Sequence, residues 1–137
     1  KYLKTLARHR RTGASELYSG YYDFSPEQWK RMKYVLEQFR AAAPGKPIIV
    51  LSIPCDTDLM RVETTGKAPP LPLLLGQACA ALNIAYLDLL PATMAASNGW
   101  KNCYLACDRH WNAYGNEIAA NALLAHPAYQ RLLQKSP

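Results

Sequence analysis

The stretch from residue 47 to 53 constrains the fold more than any other. Between Pro47 and Pro54, Ile48, Ile49, Val50, Leu51 and Ile53 form a short, nearly continuous apolar run rich in β-branched side chains. A run that is continuous rather than alternating suits a strand covered on both faces, as in a parallel sheet. Parallel strands need long crossovers, usually helical, so the flanks should carry helical patterns. The N-terminal flank does. Ser25 stands as N-cap, Pro26 as first helical residue and Gln28 three positions after the cap, followed by Trp29, Met32, Val35, Leu36 and Phe39 at helical spacing. Pro44 and Gly45 stop this helix after about Ala43.

Downstream, residues 55–70 are polar, with Asp56, Asp58, Arg61, Glu63 and Gly66, and are expected to form a long loop at the sheet edge where α/β sites assemble. A second helix is expected over 71–82, a strand over 84–87 leading into Asp88, and a helical turn or two over 90–97. Asn98 and Gly99 mark a turn, 103–106 reads as a last short strand, and 113–125 as a helix with a tail over 129–133 beyond Pro127. Residues 2–10 are weakly helical and 11–24 read as loop. The alternation implies an α/β fold: a three-layer αβα arrangement around a mostly parallel sheet. Three strands are visible where sheets average ~5–6, so further strands are expected upstream. At 137 residues, half of them hydrophobic, the chain reads as a single domain.

The net charge of +6 is concentrated at the start, in Lys1, Lys4, Arg8, His9, Arg10 and Arg11. No aromatic interleaving or recognition-helix pattern accompanies it, so the cluster reads as solvated surface and no nucleic-acid partner is expected; a polyanion-binding domain remains an alternative. The longest apolar run, 71–82, is broken by Pro72, Gly76 and Gln77, so no membrane span is expected. The chain starts without methionine or a basic-then-apolar leader, and so reads as mature, trimmed or cut from something longer. Cys55, Cys79, Cys103 and Cys107 read as core thiols, with a Cys103–Cys107 bridge open in an oxidising compartment. With His110 this pair forms a CxxxCxxH pattern. It offers no fourth zinc ligand except Asp108, so neither metal nor other cofactor is expected.

The segment Cys107-Asp108-Arg109-His110-Trp111-Asn112 carries the chemistry. In extended backbone, residues two apart share a side and stand about 6.6 Å apart, at ~3.3 Å per residue, so Asp108 and His110 can meet. A carboxylate that accepts the imidazole Nδ1 proton fixes the tautomer and leaves Nε2 as general base for an alcohol nucleophile. The alternative is structural: Asp108 and Asn112 capping the next helix, with His110 and Trp111 packed beneath it.

DRHWNAYGNEIAANAL resembles the C-terminal catalytic block of SGNH (GDSL-like) hydrolases, in which an Asp–His pair precedes a helix with a glycine and small apolar residues. About 25 residues resemble the family well. The resemblance implies a flavodoxin-like α/β fold of which this chain is the C-terminal portion, with Asp108 as acid, His110 as base, and Trp111 and Asn112 on the substrate side. It implies an esterase, or an O-acyltransferase, acting on an O-acyl ester such as an acylated carbohydrate. Such proteins are often exported. Cys107 stands where the commonest spacing places the aspartate, so the closer likeness is to the DxHW subset that includes acyltransferases.

A Gly-Asp-Ser block is absent. Ser15, Ser19, Ser25, Ser52, Ser97 and Ser136 include none that follows a buried strand and opens a helix. Ser19 and Ser52 come nearest, though a hydroxyl within an aliphatic strand such as Ser52 usually bonds backbone. The nucleophile is therefore expected in a preceding segment or on a partner chain. The rival reading is a non-catalytic glycan- or protein-binding module working through Tyr18, Tyr21, Tyr22 and Trp29.

Overall fold

The computed structural model describes residues 18–106 and 109–134. The expected helix over 2–10 and the basic cluster at the start lie outside these residues. The chain is a mixed α/β protein with α1 (Pro26–Ala42), β1 (Ile49–Ser52), α2 (Asp56–Thr65), α3 (Pro70–Ala81), β2 (Ala85–Asp88), α4 (Leu90–Met94), a 3-10 turn (Trp100–Cys103), α5 (Ala113–Ala125) and α6 (Pro127–Leu133). The α1 start is a complete capping box: Gln28 N–H donates to Ser25 Oγ at 3.1 Å, and Ser25 N–H donates to Gln28 Oε1 at 2.7 Å.

β1 and β2 pair in parallel, with Ile49 opposite Ala85 and Ser52 opposite Asp88. Among the described residues the sheet holds these two strands, not the three expected. One face is covered. Leu36 of α1 and Leu75 and Cys79 of α3 are buried with Ile84, against half-buried Val50 and Tyr86. Ile49, Leu51 and Leu87 are only half-buried, so neither strand is enclosed on both faces as expected. The apolar stripe of α1 is likewise only partly used: Leu36 is buried, while Met32, Val35 and Phe39 are exposed.

Two further expectations are corrected. The polar stretch 55–70 is not a long loop, because residues 56–65 form α2. Asp56 and Asp58 sit in its first turn, where the helix dipole favours them, Gly66 closes the end at φ +65°, and Leu59 is fully buried. Residues 103–106 do not join the sheet as a third strand. Tyr104 instead forms an isolated antiparallel bridge with Trp111. Its carbonyl is taken by the Asn112 side chain at 3.2 Å, and the Leu105 N–H by the His110 carbonyl at 3.0 Å, so the backbone groups that would extend the sheet are satisfied locally.

A second core cluster joins Tyr21, Leu59, Leu90 and Trp100 at the C-terminal ends of the strands. Asp58, 1% exposed, organises it. One carboxylate oxygen accepts the Ser19 hydroxyl and the Tyr21 N–H (3.3 Å), and the other accepts the Cys55 N–H at 2.7 Å. The Tyr21 hydroxyl then donates to Asp88 at 3.2 Å, and burial raises its pKa far above that of a free tyrosine. Removing Asp58 orphans three donors, two of them buried. We expect Asp58→Ala to lower unfolding stability by about 3–5 kcal/mol in urea titration. Asp58→Asn, which offers one acceptor and one donor, should fall in between; an Asp58→Ala loss under about 1 kcal/mol would show that the carboxylate does not organise this end.

Candidate active-site loop

The parallel strands end at Ser52 and Asp88, side by side in register. The C-terminal edge of a parallel sheet is where loops converge to form sites in α/β proteins. From Ser52 the chain runs through Ile53, Pro54 and Cys55 into α2, and the loop bearing His110 approaches this turn. The Tyr104 hydroxyl donates to the Pro54 carbonyl at 2.8 Å, and Arg109 pairs with Asp56 at 3.5 Å. The ion pair is half-exposed and contributes no more than about 1 kcal/mol. The tyrosine bond, with the Tyr104–Trp111 bridge, is therefore the firmer tie.

Asn112 fixes the far side of the loop. As N-cap of α5 its Oδ1 accepts the Tyr114 and Gly115 N–H groups at 2.9 and 3.1 Å. Its Nδ2 donates to the Asn102 and Tyr104 carbonyls at 2.8 and 3.2 Å. With its own N–H on the Cys103 carbonyl at 3.0 Å, Asn112 has its carboxamide fully engaged within the fold. It positions the loop and has no group left to offer a substrate.

The predicted site residues therefore sit as follows. His110 is solvent-exposed at the rim, not buried beneath α5, and its backbone carbonyl is held by Leu105. Asp108 and Cys107 lie outside the described residues, so the Asp108–His110 pairing remains an expectation from the sequence, whereas the Cys103–Cys107 bridge left open there is not formed, because the Cys103 thiol is free. Cys103 itself is a free, fully buried thiol whose pKa is raised by burial. Trp111 is half-buried, and its Nε1 is buried without a hydrogen bond among the described residues. Burial pushes the Tyr104 hydroxyl well above its ordinary pKa; the nearby Trp111 N–H acts the other way but falls short of hydrogen-bond geometry.

Neither serine that came nearest to a nucleophile has an open hydroxyl. Ser19 is fully buried and donates to Asp58. Ser52 Oγ lies 2.6 Å from the Tyr86 hydroxyl and donates to Asp88 at 3.1 Å, so it bonds side chains rather than the backbone expected of it. Burial pushes Tyr86 up to about 12. Ser25 caps α1, Ser97 meets the Tyr114 hydroxyl, and Ser15 and Ser136 lie outside the described residues. The residue that does follow a strand and cap a helix is Cys55, which is exposed and not the core thiol expected. Partial burial, then Asp58 and Asp56, raise its thiol pKa, and Arg109 opposes them, so the thiol stays protonated at neutral pH.

Among the described residues no group of three or more His, Cys, Asp or Glu side chains is arranged to hold a metal, and no helix is long and apolar enough to cross a membrane. Comparison of the chain with protein-family models, curated proteins and solved structures found no match.

Gly115 sets how closely α5 can approach the loop. A Cβ there would lie 2.5 Å from the Cys103 carbonyl oxygen and 2.9 Å from the Trp111 ring. Alanine gains about 1 kcal/mol in helix propensity, but the obstacle is backbone that cannot swing aside. Gly115→Ala should therefore be net destabilising, by about 1–3 kcal/mol, in urea titration. Unchanged or increased stability would mean that the helix and loop are not in this close contact.

Proposed function

We propose that the chain contributes the Asp108–His110 half of an SGNH-type serine esterase or O-acyltransferase site acting on an O-acyl ester, an acylated carbohydrate among the candidates. The observation that carries this reading is an exposed His110 on a loop tied to the β1–α2 turn, at the end of a parallel sheet where such sites assemble. In the proposed mechanism His110 takes the proton from a serine hydroxyl as it attacks the acyl carbon, and Asp108 holds the imidazole and stabilises its charge. His110 gives that proton to the alkoxide that departs as the acyl-enzyme forms, then takes one from water or an acceptor alcohol as it attacks the acyl-enzyme and returns it to the released serine. Trp111 would line the acyl or leaving-group side, and Asn112 serves as a positioning residue.

The nucleophile is proposed to come from outside the described residues, because the serines among them are buried or hydrogen-bonded within the fold. The two strands are proposed to belong to a larger three-layer sheet. Half-buried Ile49, Leu51 and Leu87 support this, since parallel strands are normally enclosed on both faces. The rival binding module is less well supported. Tyr21 is in the core, Tyr22 bonds the Lys67 carbonyl beneath Arg61, and Trp29 packs on the α1–α3 cluster, which leaves Tyr18 as the openly exposed member of that aromatic set.

Hydrolysis of a chromogenic short-chain ester by the natural protein tests the proposal. His110→Ala should lower kcat/KM by on the order of 10³-fold or more while leaving Tm unchanged. Near-full activity in that variant would remove His110 from the mechanism. A wild type inert to both ester and fluorophosphonate would favour the binding module.

A further inference from the structure

At the opposite end of the sheet, where β1 and β2 begin, lies a half-open groove of about 460 Å³. Arg40, Lys46 and Arg131 contribute to its wall, with Asn83, Ile48 and Leu132, and among the described residues no acidic side chain lines it. Three elements bring the cations together: Arg40 is on the last turn of α1, Lys46 follows the Gly45 turn at φ +69°, and Arg131 is on the last turn of α6.

Arg40 is the informative member. One of its terminal nitrogens donates to the Lys46 carbonyl at 2.6 Å, which anchors the guanidinium across the turn. Its Nε is buried and makes no hydrogen bond among the described residues. A buried, charged donor without an acceptor is costly, as is gathering three cations around one concavity with no acid among its lining residues. An anion seated in the groove relieves the crowding of the three cations. Guanidinium donors match the paired oxygens of phosphate and sulfate, and charge-assisted bonds of this kind are the strong ones.

We infer that this groove is a binding site for a phosphate or sulfate group, held by Arg40 with Arg131 and Lys46. The site is separate from the His110 loop, which lies at the other end of the strands, and does not depend on the proposed hydrolase activity. Ile48 and Leu132 give the groove an apolar side, which suits an oxyanion carried on a larger organic body.

Inorganic phosphate and sulfate, titrated separately at low ionic strength, test this by calorimetry and by the NMR signal of the Arg40 Nε–H group. Saturable binding should shift that signal. Arg40→Gln should weaken binding by about tenfold or more, while Lys30→Gln, which removes an exposed charge elsewhere on α1, should leave it within about twofold. Arg131→Gln should weaken it severalfold and keeps the test informative if Arg40→Gln does not fold. Whichever anion binds more tightly names the ligand class. An unmoved Arg40 signal, no saturation by either anion, or equal losses in Arg40→Gln and Lys30→Gln would overturn the inference, since the last would reflect net charge alone.

Discussion

The C-terminal end of the sheet depends on one buried carboxylate. Asp58 holds the Ser19–Tyr21 turn and the Cys55 turn together through three donors, and its place in the first turn of α2 adds the favourable field of the helix N-terminus. A charge that deep is tolerated only when such partners replace water. With the turn held, the Tyr21 ring can fill the cluster with Leu59, Leu90 and Trp100. Its carbonyl accepts the Leu71 N–H at 3.2 Å and so ties down the start of α3. The polar chain then runs on through the Tyr21 hydroxyl to Asp88, which also accepts from Ser52 and from the Leu90 N–H at 3.1 Å. Both strand ends are thereby fixed, and with them the platform against which the His110 loop rests.

The loop is built on the same principle at smaller scale. Its shape comes from saturating backbone groups locally: Asn112 alone satisfies two N–H groups and two carbonyls with its side chain. Gly115 lets α5 approach within a distance that no side chain permits. Flanked by such constraints, His110 stays exposed while its carbonyl is held by Leu105, as the proposed base requires.

Much of this was legible in the residues. The Ser25 and Gln28 capping box, the β-branched run before Pro54, and Asn112 at the opening of α5 each act locally, and local signals survive in sequence. What escaped was non-local. α2 was hidden because its polar face resembles a loop, and because Asp58, its decisive residue, works through Ser19 and Tyr21 almost forty positions away. The segment after Cys103 read as a strand since its apolar residues fit one, yet Asn112, nine positions on, claims the backbone. The ties from Tyr104 to Pro54 and from Arg109 to Asp56 join sequence-distant turns and left no pattern to read.

In the proposed mechanism a carboxylate at position 108 orients the imidazole at position 110. Nitrogen-15 NMR of the histidine ring reads that relation directly. In its neutral form the His110 ring should carry its proton on Nδ1, leaving Nε2 bare, and Asp108→Asn should shift the neutral ring towards the Nε2–H tautomer that free histidine prefers. An identical tautomer balance in the two proteins would contradict the account, because the aspartate would then exert no hold on the ring.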